Sequence, residues 1–305
     1  MMHALPQNLK LVSIAQDDGA ETLGLCTERG ILDVRFAAQH FSVSAPLTLE
    51  AMLRDGNAAA LNGLRDLALA TSDVALFLDE AGIRHGRLLA HPEKIICVGL
   101  NYRRHAVEVK MPEPRLPPLF NKFSNALGAH GQAITLPGPD IATKFDYETE
   151  LAIVIGKAAR NVTEAEALDY VAGYCTGNDF SARDLQMELP GGQWVVGKSL
   201  DGFAPIGPYF VSADLAGNPD AMNITTHVNG ELRQSSNTSD FIFNTAQMVA
   251  YISRYWTLQP GDLIFTGTPE GVILGYPEDK RIWLKAGDEI VSSVGNLGEL
   301  KFRLQ

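Results

Sequence analysis

The chain has 305 residues, 46% hydrophobic and 20% charged, with a formal net charge of -11; this is the composition of an ordinary globular protein with room for two domains and a full core. So acidic a chain is a poor partner for nucleic acid or an anionic membrane surface, and a small anionic ligand would need local cations to bind. It has no run of about eighteen apolar residues, and its opening MMHALPQNLK lacks the basic-then-apolar pattern of a secretory leader, so a cytoplasmic protein is expected.

Residues 9–34 read as a small meander, with LKLVSIA, TLGLCT and ILDVRF as strands separated by turns at DDGAE and ERG. From Pro46 the spacing turns helical. PLTLEAMLRDG and AAALNGLRDLALA carry apolar residues three and four apart, and Gly56 is placed to close the first helix. Residues 1–87 are thus expected to form a small α+β domain without a cluster of chemical groups, and residues 88–305 a larger domain that holds the chemistry.

The larger domain opens on the apolar strand KIICVGL, followed by NYRRHAVEVK. There His105 and Glu108 lie three apart and share a face if the segment is helical, as an acid/base pair or as part of a solvated surface. Four prolines between Pro112 and Pro118 impose a loop. In FNKFSNALGAHG, Lys122 could face an anion but reads more readily as a surface lysine, and His130 as a turn residue.

KFDYETELAIVIG follows. Side chains alternate along a strand, so Glu148 and Glu150 share one face. Two carboxylates so close, entering a core, need a cation, and a divalent metal is the simplest; otherwise they lie on a solvated strand end. TEAEALDYVAGY is expected to be a helix with Thr163 as N-cap. In YCTGNDFSARDLQ, Asp179, Arg183 and Gln186 have the i, i+4, i+7 spacing of one helical face. Lys198 is expected between tight turns in GGQWVVGKSLDG. Asn229-Gly230 marks a type I′ hairpin, and Gln234 to Asp240 a polar loop. After a helix over TAQMVAYISRYW comes PGDLIFTGTPEGV, in which Thr266, Gly267 and Thr268 can offer backbone N–H and hydroxyl groups to an anion. Two more strands end the chain. Cys26, Cys97 and Cys175 are widely spaced with no CxxC pair, which fits reduced thiols.

VGLNYRRHAVEV, DYETELAIVIGK, GYCTGNDFSARDLQ, GKSLDGFAPIGP, VNGELRQ and PGDLIFTGTPEGV, in this order, resemble the fumarylacetoacetate hydrolase family over residues 94–305. The resemblance implies an α+β, mostly β fold: a mixed β-roll or barrel-like catalytic domain with flanking helices, in a homodimer. It implies one Mg²⁺ or Mn²⁺ ion held by Glu148, Glu150 and Asp179, although Asp146, Asp184 and Asp201 are equally acidic. Three carboxylates suit such a hard cation. It also implies His105, Glu108 and Lys198 as catalytic residues and Arg183, Gln186, Thr268 and Gly267 as substrate-binding ones.

The expected substrate is a small anionic 2-oxo or 1,3-diketo acid, with hydrolysis of a C–C bond in an acylpyruvate such as fumarylpyruvate. The alternatives are oxaloacetate decarboxylation, hydrolysis of diketo-deoxy sugar acids, isomerisation of ring-cleavage products and, remotely, a non-catalytic scaffold. Many relatives have an acidic or small residue where this chain has Arg104, before the histidine. Met187 to Gln193 is expected to set specificity.

Overall fold

The computed structural model describes residues 4–305. Two open sheets carry the architecture. The larger has ten strands, ordered Phe77–Leu78, Gly30–Asp33, Glu21–Thr27, Lys10–Ala15, Phe210–Ser212, Val171–Asn178, Thr149–Ile155, Leu263–Phe265, Ile95–Val98 and Leu119–Lys122. The smaller has five: Glu231–Asn237, Asn223–Val228, Glu289–Val294, Glu299–Leu304 and Ala133–Ile134. Neither closes on itself, so the fold is mixed and mostly β as expected, with a roll of open sheets in place of a barrel. Among the described residues no helix is long and apolar enough to cross a membrane.

The acidic strand Thr149–Ile155 is central in the large sheet and buried throughout. It pairs antiparallel with Val171–Asn178, with Glu150 opposite Gly177, and antiparallel with Leu263–Phe265 through Ala152 opposite Phe265. Its second face meets the smaller sheet through polar groups. Thr149 Oγ1 donates to Ser292 Oγ (2.7 Å), Asn178 Nδ2 donates to the same oxygen (3.0 Å), and Gln234 Oε1 accepts from Thr149 N (3.2 Å). Each buried polar atom named has a partner, so the interface orients the strand without an uncompensated desolvation cost.

The first helices follow the sequence reading. Gly56, at φ 64°, closes Leu49–Asp55, and Ala58–Leu69 follows. Asn229 and Gly230 both have positive φ, as a type I′ hairpin requires. The strands of the first 87 residues join the rest of the chain directly, since Lys10 and Leu11 pair with Val211 and Phe210.

Several local readings are corrected. TEAEALDYVAGY is not a helix: a 3₁₀ turn at Ala167–Tyr170 leads into the strand Val171–Asn178. That strand is buried on both faces, so its apolar run has no alternation to separate it from a buried helix. A Cβ on Gly173 would collide with Val211 O, a close approach that suits the strand. ILDVRF ends its strand at Asp33, whose side chain accepts from Phe36 N (3.0 Å) and caps the helix Val34–His40. Gln234 belongs to the strand Glu231–Asn237 and is fully buried.

Candidate active site

The mouth of the acidic strand opens into a cavity of about 680 Å³. All ten residues singled out in the sequence line it: His105, Glu108, Glu148, Glu150, Asp179, Arg183, Gln186, Lys198, Gly267 and Thr268. Among the described residues none that lines it precedes Val98. A larger cleft of about 1440 Å³, lined among others by His85, His130 and Asp201, contains none of these ten side chains.

Glu148 and Glu150 reach the cavity floor because strand alternation sends them together, while Tyr147 turns away to donate its hydroxyl to Gly271 O (2.8 Å). Asp179 joins them by a different route from the one expected. The helix starts only at Arg183, so Asp179 does not share a helical face with Arg183 and Gln186. It lies just past the neighbouring strand, where its N–H donates to Glu148 O at 2.8 Å. One oxygen each from Glu148, Glu150 and Asp179 lie within 4.8 Å of one another, and among the described residues no other three His, Cys, Asp or Glu side chains converge this way.

Cations brace the triad. Lys198 Nζ donates to Glu148 Oε2 (2.6 Å) and Asp179 Oδ2 (2.7 Å), and Arg183 Nη2 donates to Glu148 Oε1 (2.6 Å). Lys198 ends the short helix Trp194–Lys198 and does not lie between tight turns. That helix packs closely because Gly197 has no side chain: a Cβ there would meet Gln186 N at 2.6 Å and Ala182 O at 2.7 Å.

Two further charged residues have roles that the sequence reading did not give them. Lys122 is buried, not on the surface; it donates to Asp179 Oδ1, to Phe203 O (2.7 Å) and to Phe180 O (3.3 Å), so all three of its N–H groups are committed. Asp146 accepts from Arg183 Nε (2.9 Å), Ile273 N (2.9 Å) and Leu274 N (3.0 Å), which anchors the guanidinium and one wall of the cavity. The signal for Lys122 was its place at the end of an apolar strand fragment. Asp184 and Asp201, the other acidic candidates, bond to Thr143 N and Asn125 Nδ2 instead.

Replacing Lys122 by Met would leave a buried carboxylate oxygen and two carbonyls without their donor. The expected loss is about 3–5 kcal/mol, seen as a melting temperature lower by roughly 10 °C. An unchanged melting temperature would show that the ammonium is not needed there.

Four buried carboxylates, Asp146, Glu148, Glu150 and Asp179, therefore face three buried cations, Lys122, Arg183 and Lys198. The deficit falls on Glu150, whose acceptor contact is the N–H of Gly267 (2.7 Å). Burial, with Asp179 and then Glu148 beside it, pushes its carboxyl well above the usual range. Burial also raises Glu148, but Lys198 and Arg183 outweigh it and hold that carboxyl low. A centre one positive charge short, lined by hard oxygens, fits a divalent cation.

At the cavity wall His105 Nδ1 lies 2.9 Å from Glu108 Oε2, and Glu108 Oε1 accepts from Gly271 N (2.8 Å). A carboxylate only accepts, so the neutral ring carries its proton on Nδ1 and leaves Nε2 as an acceptor. Gln186 Oε1 accepts from Arg183 Nη1 (2.9 Å), which leaves its amide NH₂ free to donate. In the Thr266–Thr268 loop the hydroxyls are already used: Thr266 Oγ1 donates to Leu151 O (2.8 Å) and Thr268 Oγ1 to Thr149 O (3.0 Å). The anion held by Gly267 N–H is the protein's own Glu150. The three cysteines are unpaired; Cys26 is half-buried, and burial pushes its thiol up to about 12.

An acid/base pair beside a carboxylate-and-lysine floor, enclosed in one cavity, is the arrangement of an enzyme. Residues 94–305 match the family described as fumarylacetoacetate hydrolase C-terminal. The mitochondrial oxaloacetate tautomerase fahd2 of Xenopus laevis is 42% identical over 212 residues, 70% of this chain and 65% of that protein; the chain thus spans under two thirds of that relative's length. A fumarylacetoacetate hydrolase from Exiguobacterium antarcticum shares the fold with a TM-score of 0.81 and 32% identity, covering 98% of this chain and 99% of its own. A maleylpyruvate hydrolase from Sphingobium sp. SYK-6, solved with manganese(II) and pyruvate, gives 0.75 and 28%, covering 97% and 98%. The chain belongs to the fumarylacetoacetate hydrolase family.

Proposed function

We propose that this protein is a metal-dependent hydrolase that cleaves a C–C bond in acylpyruvate-type 2-oxo acids. The observation that carries the reading is the buried carboxylate triad, one positive charge short, in the same cavity as the His105–Glu108 pair. Glu148, Glu150 and Asp179 would hold the ion, Mg²⁺ or Mn²⁺, which supplies Lewis acidity for enolate formation in the bound substrate.

The other roles follow from the donors each side chain has left. Lys198 spends two N–H groups on Glu148 and Asp179, and its third is available to the developing enolate oxygen. Arg183 is a positioning residue first, since Asp146, Glu148 and Gln186 take most of its fork. The amide NH₂ of Gln186 orients a substrate oxygen, and the backbone N–H of Thr268 offers a donor to the substrate carboxylate. His105 Nε2 takes a proton from water as that water adds to the distal carbonyl, with Glu108 holding the imidazole and stabilising its positive form. The C–C bond then breaks toward the 2-oxo side, releasing a carboxylic acid and a pyruvate enolate that is reprotonated.

A second reading, decarboxylation or tautomerisation of oxaloacetate, is favoured by the likeness to a relative named an oxaloacetate tautomerase. It uses the same floor and needs no attacking water. The homodimer, and the division into a supporting unit of residues 1–87 and a catalytic unit of residues 88–305, belong to this proposal as well.

The test is turnover of acylpyruvates, oxaloacetate and diketo sugar acids, with Mg²⁺, with Mn²⁺ and after chelation. Metal-dependent cleavage of an acylpyruvate is expected to dominate. Chelator-resistant turnover would remove the proposed metal role, and exclusive action on oxaloacetate would select the second reading.

A further inference from the structure

We propose that Arg281 reads a second, distal anionic group on the substrate, so that the cavity selects 2-oxo dicarboxylates over 2-oxo monoacids; this rests on the reading of the floor as a 2-oxo acid site. The stretch expected to set specificity, Met187 to Gln193, reaches the cavity only through Met187. The outer wall comes instead from the segment after Leu274, with Tyr276, Glu278 and Arg281 lining the cavity. Pro277, Glu278 and Lys280 are exposed while Arg281 is half-buried and lines the cavity, which places this segment at the rim with Arg281 against the opening.

The cations of this region differ in what is left to them. Lys122, Arg183 and Lys198 sit on carboxylates of the floor, and Arg104 is paired with Asp240 and Glu270. Arg281 donates from Nε to Tyr276 O (2.9 Å), which pins the guanidinium plane, and among the described residues no carboxylate pairs with it. Glu278 on the same rim carries the opposite sign but is exposed and forms no ion pair with Arg281, and Lys110, the other cation of the rim, is exposed as well. A half-buried guanidinium with a free fork is suited to a carboxylate.

The space between floor and rim suits a carbon chain. Phe120 and Trp194 meet edge to face, with ring centroids 5.2 Å apart, and Met187 and Leu274 add apolar surface. Charge points the same way. A divalent ion would bring the floor's four carboxylates and three cations to about +1, enough to balance one substrate carboxylate; a second needs another cation.

The test compares 2-oxoadipate with 2-oxohexanoate, which differ only in a terminal carboxylate against a methyl group, by calorimetric titration of the Mn²⁺-loaded protein. The wild type should prefer the diacid, and Arg281→Met should shrink that preference by roughly 10- to 100-fold. Arg281→Lys should restore part of it. Equal weakening of both ligands would mark a merely structural arginine, and an unchanged preference would assign the distal group elsewhere; either overturns the proposal. If neither ligand binds wild-type protein while acylpyruvates are still turned over, the Arg281 assignment falls and the hydrolase reading stands. If there is neither binding nor turnover, both fall.

Discussion

Glu150→Gln is expected to fold normally, with a melting temperature in the absence of metal equal to or above that of the wild type, and to have lost both the stabilisation by Mn²⁺ and the activity. The reasoning is electrostatic. Glu150 is the buried carboxylate without a cation on it, and Asp179 and Glu148 both repel its charge. A neutral amide in its place removes that repulsion, and its carbonyl can still accept the Gly267 N–H. What it cannot do is act as an anionic ligand to a divalent ion. An ion bound at a hundredfold its dissociation constant stabilises the native state by about 2.7 kcal/mol, so the wild type should melt higher with Mn²⁺ and the variant should not. Activity should fall by about three orders of magnitude, the scale of several kcal/mol of lost charge stabilisation. Glu148→Gln and Asp179→Asn should lose metal as well, but with lower stability, because Lys198, Arg183 and Lys122 lose their partners. An active, chelator-resistant Glu150→Gln protein would dispose of the metal centre.

His105→Ala separates the two chemistries of the shared floor. Hydrolysis of an acylpyruvate needs an activated water, and loss of a general base costs about 10²- to 10⁴-fold. Loss of carbon dioxide from oxaloacetate needs only the floor, so that reaction should persist within about tenfold. Steady-state rates on both substrates with one preparation of the variant decide the matter. An equal collapse of both would mean that His105 serves substrate binding or reprotonation rather than water activation. Glu108→Gln should follow the same pattern more mildly, because the amide can still contact the ring but no longer balances its positive form.

The parts of the site legible in the sequence were those set by strand alternation or by short helical spacing. Glu148 lies just before the strand Thr149–Ile155 and Glu150 two residues on, within it, and His105 and Glu108 lie three apart on a helix. Local geometry alone brings each pair together. Asp179 was named through family resemblance, and its expected helical face was wrong because it sits beyond a strand end, placed by pairing with a segment thirty residues earlier. What Lys122 and Asp146 do was missed for a related reason. Their roles are fixed by contacts 57 and 37 residues away in sequence, and no periodicity reports such contacts. The strand Val171–Asn178 misled in another way: buried on both faces and carrying Gly173 and Gly177 where backbones or rings press close, it offers no pattern of period two. The resemblance supplied what pattern could not, namely that distant pieces converge.

The Asp146 carboxylate has a consequence for how this enzyme could change its diet over evolutionary time. It ties Arg183, and through it the triad, to the backbone of Ile273 and Leu274, so that part of the wall is inherited with the chemistry. Immediately downstream the chain is exposed at Pro277, Glu278, Asp279 and Lys280 and carries no such tie to the triad. Insertions, deletions and substitutions there can remodel what the pocket accepts while the bond-breaking machinery is left as it was. A selection for new substrates would be expected to accumulate its first changes between Tyr276 and Ile282.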